Sequence, residues 1–378
     1  MIAAATAGID PDDDLHFMEL AFALGRRGLG RTWPNPSVGA VVVRREPDGP
    51  VIVGRGWTQP GGRPHAETQA LERAGSAAHG ATLYVTLEPC SHFGRTPPCA
   101  DAIIAAGIAQ VVSALEDPNP QVAGEGHRRL ASVGIGVKVG TGADAARLAH
   151  AGHIRRMREN RPQVMLKLAV SADHKAGLAG RRPAPITGEP ARARVHLMRA
   201  MSDAVLTGIG TVLADDPLLT CRLPGMADRS PVRVVLDGRL RLRLDSRLVA
   251  TARETPLWVV TDTTAAAERE QALRSAGAEV LRVPAAGGRL ELSAVLESLA
   301  GRGITRLMVE AGPIVAAAML EADLVDEAVL LRSPKPIGPD GIDALEGLPV
   351  ATLTSSPRLE LIRTETAGED TIDFLARR

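Results

Sequence analysis

Apolar residues along this chain fall into two kinds of run, helical and extended, and the two alternate. Leu15 to Leu24 repeats its apolar positions at helical spacing behind Asp12, Asp13 and Asp14, which suit a helix start. VGAVVV (Val38–Val43) is continuous and β-branched, as in a strand buried on both faces. HAETQALERA, from His65, predicts a helix with Pro64 near its first turn. Ala81–Leu87 predicts a second strand. CADAIIAAG predicts a helix from Cys99 that stops at Gly107, and Ile108–Leu115 a third strand. GHRRLASVGIGVKVG adds a helix and a strand. Strands alternating with helices predict a three-layer α/β domain.

The pattern changes near residue 150. LAHAGHIRRMRENRPQ is basic and polar and ends toward a proline, which puts a domain boundary between Gly140 and Gln163. The expected domains are residues 1–150 and 160–378. The second half begins a new alternation: strands at VMLKLAVSAD, DAVLTGIG, VRVVLDG, PLWVVTD, ITRLMVEAG and DEAVLL, and helices at EPARARVHLMRAM, AAAEREQALRSAG and PIVAAAMLEADLV. LELIRTETAGEDTIDFLA reads as two extended runs around a glycine-containing turn, an antiparallel ending.

Composition narrows the function. A chain of 378 residues suits two domains, and its formal net charge of zero gives no sign of a nucleic-acid or membrane surface. Aromatic residues are only 2%, which disfavours base-stacking platforms. No secretory signal or run of about 18 apolar residues is evident, and three cysteines make no disulfide framework. These features predict a cytoplasmic protein in a reducing compartment.

The candidate chemistry lies in TLEPCSHFGRTPPCAD (Thr86–Asp101), which holds Cys90 and Cys99. A disulfide is disfavoured by the compartment. Two unrelated buried thiols would be the ordinary reading of the pair taken alone. Cys99, however, follows Pro97 and Pro98 at a predicted helix start, where a thiolate is favoured. His65-Ala66-Glu67 also stands at a helix start. One His and two Cys make three ligands of a zinc site with a fourth position left for water, the arrangement of a catalytic rather than a structural metal. An H-x-E … P-C-x-x-C signature with a glutamate that moves protons is the general description of zinc deaminases, and this chain has a longer cysteine spacing. Alone, Glu67 could be a solvated helix charge and His65 a cap. Their coincidence with both cysteines favours the metal reading. His92 and Arg95, between the cysteines, are candidate substrate contacts; Cys221 reads as an ordinary thiol.

The first half resembles the cytidine-deaminase superfamily. Through PNPSVGAVVV, PHAE, TLEPCSHFGRTPPCADAIIAAG and EDPNPQVAGEGHRRL it is similar to the deaminase half of the bifunctional riboflavin-biosynthesis deaminase–reductases. KLAVSAD, ITGEPAR, HLMRAMSDAVLTGIGTVLADDPLLTCR, RVVLD and VEAGP resemble the reductase half, so the resemblance spans nearly the whole chain. It implies a cytidine-deaminase-like domain followed by a dihydrofolate-reductase-like α/β domain. It implies zinc-dependent deamination of 2,5-diamino-6-ribosylamino-4(3H)-pyrimidinone 5′-phosphate. NADPH-dependent reduction of the ribosyl group of 5-amino-6-(5-phosphoribosylamino)uracil then follows.

By the same resemblance His65, Cys90 and Cys99 hold zinc and Glu67 shuttles the proton. Asn35 contacts the pyrimidine; its place between two prolines makes a turn residue the lesser alternative. Arg199, Leu219, Arg222 and Glu310 line the reductase substrate; Ala169, Thr211, Asp215 and the stretch from Gly312 face NADPH. A glycine immediately before a helix at Gly312 suits a pyrophosphate. TGIG is no full dinucleotide fingerprint, so an ordinary Rossmann domain is not expected. The partners implied are small pyrimidine ribose phosphates, with no nucleic acid or membrane, and a homo-oligomer is expected. The chain departs from the family at Asp173-His174-Lys175, where a glycine is usual at the middle position, and at Pro183 and Pro185, which replace a serine and a tryptophan. Those prolines motivate a competing reading, a deaminase of another base with a repurposed second domain. A structural zinc module in a nucleic-acid-binding protein would need a fourth protein ligand and a basic face, and neither is evident.

Overall fold

Alternate side chains of the first strand enter two different cores, and this organises the first half of the molecule. Strand β1 (Gly39–Glu46) sends Ala40 and Val42 to one face and Val41 and Val43 to the other, all buried. The computed structural model describes residues 11–94, 97–182 and 184–377. It divides into two units, Met1–Glu159 and Asn160–Arg378.

In the first unit β2 (Gly49–Trp57), β3 (Thr82–Val85), β4 (Gln110–Ser113) and β5 (Gly136–Val139) join β1 in the order β2-β1-β3-β4-β5. The β1–β2 and β1–β3 pairs are antiparallel, and β3, β4 and β5 run parallel. The sequence reading missed β2. Its signal is the turn that pairs Glu46 with Gly49, the glycine taking φ +124°. One face carries α2 (Ala66–Ala74) and α3 (Cys99–Ala105); the other carries Phe17, Met18 and Phe22 of α1 (Pro11–Gly25). The expected three layers are therefore present. Further helices are α4 (Glu125–Ser132), α5 (Ala143–Ala149) and α6 (Ala151–Glu159). The last of these runs through the basic stretch in which the sequence reading placed the domain boundary.

Two glycines of β2 fix how closely α2 lies on the sheet. A Cβ on Gly54 would stand 2.1 Å from the Ala70 carbonyl oxygen, and one on Gly56 2.1 Å from that of Ala66. No side chain larger than hydrogen fits at either position without displacing the helix.

In the second unit the strands are β6 (Gln163–Val170), β7 (Ala204–Gly208), β8 (Val232–Leu236), β9 (Leu257–Asp262), β10 (Glu279–Val283), β11 (Arg306–Val309), β12 (Glu327–Arg332), β13 (Leu359–Ala367) and β14 (Asp370–Arg377). They form one nine-stranded sheet in the order β10-β9-β8-β7-β11-β6-β12-β14-β13. Strands β10 to β12 of that row are parallel, while β14 and β13 pair antiparallel at the edge, as the final glycine turn predicts. Helices α7 (Glu189–Ala200), α8 (Ile209–Asp215), α9 (Ala267–Ser275), α10 (Leu292–Gly301) and α11 (Pro313–Glu321) connect them. The runs of β8 and β9 are buried on both faces and, Arg233 apart, mostly β-branched and apolar, as crossover-covered parallel strands require.

Candidate active sites

In the first unit three polar donors from three segments meet. His65 is the N-cap of α2, so the helix begins one residue later than the sequence reading had it and Pro64 lies outside the first turn. Cys90 follows the loop after β3, and Cys99 opens α3 behind Pro98. His65 Nδ1 lies 3.2 Å from Cys99 Sγ and 3.6 Å from Cys90 Sγ. The Cys99 amide donates to Cys90 Sγ at 3.3 Å, and the Ala100 amide donates to the Cys90 carbonyl at 3.1 Å. Both thiols are free, so the disulfide reading is set aside. One imidazole nitrogen and two sulfurs within 4.8 Å of one another are a donor set that suits zinc.

The electrostatics agree with that donor set. A hydrogen bond from Cys99, helped by His65 and the Cys99 amide, holds the Cys90 thiol down to about 4. Cys99, which donates that bond and is buried, is pushed up. The Cys90 contact raises His65 against the opposing effect of burial. Glu67, 3% exposed beside the ligands on α2, is raised chiefly by burial, the direction that fits a carboxylate able to take up and return a proton.

Asn35 donates from Nδ2 to the Gly62 carbonyl at 2.9 Å, bracing the loop that leads into His65. His92 is exposed and stands outside the metal cluster; Arg95 lies outside the described residues. Glu88, two residues before Cys90, was not singled out from sequence. It is buried, and its two oxygens accept from the backbone amides of Asp117, Gly124, Gly126 and His127 at 2.8 to 3.3 Å. It thereby fixes the segment after β4 against the cysteine loop. Only its place inside the TLEPC stretch marked it.

In the second unit the expected reductase residues surround one cavity of about 770 Å³. Ala169, Arg199, Thr211, Asp215, Leu219, Arg222, Glu310 and Gly312 all line it, although their segments span more than 140 residues of sequence. Arg199 donates to both Glu310 oxygens at 2.9 and 2.7 Å and to the Thr220 carbonyl at 3.0 Å. The Arg199 guanidinium fork is thus turned onto a carboxylate and a carbonyl. Arg199 and Lys167 hold Glu310 down to about 2 against the effect of burial. Lys167, which sequence reasoning did not single out, stands 3.7 Å from Glu310, and burial lowers it. Its signal was the period of β6, where Met165, Lys167 and Ala169 share a face.

The Gly312 amide donates to Thr211 Oγ1 at 3.0 Å, which joins the start of α11 to α8. Leu219 is buried with φ +54°, and Asp216 beside it takes φ +38°, so the segment enters the cavity through a strained turn. His174 has φ +62°, which explains the glycine usual there. Lys175 is paired with Asp343 at 2.7 Å. Pro185 lines the cavity, and Pro183 lies outside the described residues.

Comparison with known proteins decides the family. Residues 11–115 match the cytidine and deoxycytidylate deaminase zinc-binding region, and residues 162–372 match the RibD C-terminal domain. The chain belongs to the RibD family. It is 41% identical to riboflavin biosynthesis protein RibD of Escherichia coli over 370 residues, covering 94% of this chain and 97% of that protein. Among solved structures it resembles Acinetobacter baumannii RibD, with TM-score 0.86, 34% identity and coverage of 98% and 100% of the two chains. It also resembles a Thermotoga maritima diaminohydroxyphosphoribosylaminopyrimidine deaminase/5-amino-6-(5-phosphoribosylamino)uracil reductase, with TM-score 0.82, 32% identity and coverage of 97% and 99%. As a RibD protein it is a bifunctional deaminase and reductase of riboflavin biosynthesis, with a zinc-binding deaminase domain. Among the described residues, no helix is long and apolar enough to cross a membrane.

Proposed function

We propose that this chain hydrolyses the ring amine of 2,5-diamino-6-ribosylamino-4(3H)-pyrimidinone 5′-phosphate in its first unit. Its second unit then reduces the ribosyl group of the resulting 5-amino-6-(5-phosphoribosylamino)uracil with NADPH. The observation that carries this reading is the buried Glu67 beside the His65, Cys90 and Cys99 cluster, within a chain whose other unit holds a cationic cavity.

His65, Cys90 and Cys99 would hold zinc, which supplies a water activated near neutral pH. Glu67 would take one proton from that water and deliver it to the ring nitrogen, then carry the added hydroxyl's remaining proton to the departing ammonia. Asn35 orients the pyrimidine. In the second unit Ala169, Thr211, Asp215 and Gly312 would hold NADPH, which would supply the hydride. The hydride reaches the sugar's first carbon as its bond to the ring oxygen breaks. Lys167, buried and lowered beside Glu310, is the group assigned to protonate that oxygen. Arg199 and Glu310 fix its position, and Arg222 and Leu219 contact the substrate. The same reading places a homo-oligomer in the cytoplasm, acting on small molecules.

The test separates the two sites. Glu67→Gln should abolish ammonia release and leave NADPH oxidation with supplied uracil intermediate near wild type; Lys167→Gln should do the reverse. Loss of both activities in either variant, with unfolding unchanged, would refute this division of labour.

A further inference from the structure

The basic stretch that closes the first unit carries two histidines that the zinc chemistry does not use. His150 stands between α5 and α6, and His153 lies three residues on, a spacing that puts both on one side of the helix start. His150 is 2% exposed, and the His153 side chain 10%. Neither is a solvated surface group.

His150 reaches the end of β3. Its Nε2 lies 3.1 Å from both the carbonyl and the hydroxyl of Thr86, four residues before Cys90. A carbonyl only accepts, so His150 Nε2 carries the proton. Thr86 is also locked to β1: its hydroxyl accepts from the Gly39 amide and its amide donates to the Gly39 carbonyl, both at 3.1 Å.

His153 faces the segment after β4. Its Nε2 stands 3.8 Å from Asp117 Oδ1, and neither ring nitrogen has a hydrogen-bond partner among the described residues. A ring N–H buried without an acceptor is costly, and Asp117 is a carboxylate that faces it. Asp117 in turn organises its own segment. Its Oδ1 accepts from the Asn119 amide at 2.8 Å, and Asn119 Oδ1 accepts from the Gln121 amide at 3.1 Å. The Asp117 amide donates to Glu88 at 2.9 Å. Burial pushes the Asp117 carboxyl up, but His153, the Asn119 amide and His92 together hold it below the usual carboxylate range. The influence of His92 ties this turn to the cysteine loop.

The sheet says why this matters for the chemistry. Strands β3 and β4 are parallel neighbours, and one leads to Cys90 and the other to Asp117. Ligands of open parallel sheets lie outside the carboxyl ends of the strands. The start of α6 therefore braces, from behind, the two loops between which a substrate enters.

We propose that His153 is a positioning residue of the deaminase. Anchored by His150, it holds Asp117, and with it the turn Asp117–Gln121, against the cysteine loop, and so sets affinity for the pyrimidine without touching the metal. The assignment rests on the deaminase reading above.

Ammonia release by the full chain, with zinc content measured on the same sample, tests it. His153→Leu fills much of the same space without a donor. It should raise KM about tenfold, with kcat within about twofold and with zinc content and reduction of supplied uracil intermediate unchanged. His153→Gln, whose amide nitrogen reaches the position of Nε2, should restore KM. Asp117→Asn should also raise KM, and adding His153→Leu to it should raise KM no further, because the imidazole acts through that carboxylate. An unchanged KM in His153→Leu, or effects of the two substitutions that multiply, overturns the assignment. So does a joint fall in kcat, zinc content and unfolding midpoint that glutamine does not repair, which would make His153 a packing residue only. A wild-type chain that releases no ammonia from the diaminopyrimidine phosphate defeats the deaminase reading itself, and the assignment falls with it.

Discussion

The two units solve the same problem, holding reactive groups in fixed geometry, by opposite means. In the deaminase unit the polar groups face one another across less than 5 Å and were readable as a motif, because a metal accepts few ligand types at few spacings. In the reductase unit the groups come from a strand, a helix and a strand end far apart in sequence, and they hold one another. Arg199, Glu310 and Lys167 form a cluster whose members neutralise each other's burial. A site organised by an ion from outside loses its chemistry, not its fold, when a ligand changes. A site organised by its own charges loses stability as well as chemistry.

That contrast can be broken most sharply at Cys99. Cys99→Ser should lower bound zinc well below one per chain and reduce deamination by about a thousandfold or more, while reduction of supplied intermediate persists. Metal analysis and the two assays on one sample check it. Parallel loss of reduction would join the units functionally and remove the distinction.

The next effect falls on the other side. Glu310→Gln leaves Arg199 and Lys167 buried without their carboxylate, and removing one partner of a buried pair costs roughly 3 kcal/mol. Stability should fall in urea melts while zinc content is unchanged. The sign with pH follows from Glu310 being held down to about 2 from an ordinary 4.5. A depressed acid stabilises the fold above its unfolded value and loses that contribution as pH drops from about 4.5 toward 2. Wild type should therefore lose stability through that window, and Glu310→Gln should flatten the loss.

How much could be read beforehand follows the same division. His65, Glu67, Cys90 and Cys99 carry their chemistry in residue type and spacing, so the sequence located the metal cluster. It misjudged only where α2 begins, because a proline at N′ and one inside the first turn look alike in sequence. Lys167 was missed since a lysine on an alternating strand reads as a solvent-facing charge until the fold supplies Glu310 opposite. The pairing of Arg199 was not legible because its acceptor lies 111 residues away. Glu88 could not be told from a surface acid, as its partners are backbone amides, which sequence does not display. Strand β2 was overlooked because its three glycines, two of them there for the approach of α2, dilute the β pattern.

Those glycines give a smaller test within the deaminase unit. Gly56→Ala places a methyl group 2.1 Å from the Ala66 carbonyl oxygen if nothing moves, so α2 must shift. Overpacking of this kind costs about 1–3 kcal/mol. Because His65 and Glu67 ride on that helix, deamination should fall further than stability alone requires. An active variant with wild-type kcat would show that the metal site tolerates displacement of the helix.

The smallest effect belongs to the reductase unit and should have the opposite sign. His174 sits at φ +62° in the turn between Ser171 and Lys175, where its amide donates to the Ser171 carbonyl at 3.0 Å. A side chain costs roughly 1–2 kcal/mol in left-handed backbone, and histidine is among the residues that tolerate it better. Glycine removes that cost but adds freedom to the unfolded chain. His174→Gly should therefore stabilise the unit by only about 0.5 kcal/mol. The Lys175–Asp343 contact depends on the turn and not on the imidazole, so NADPH oxidation should be unchanged. A loss of reductase activity with stability gained would mean that the imidazole itself takes part, and that this chain departs from its relatives by function as well as by strain.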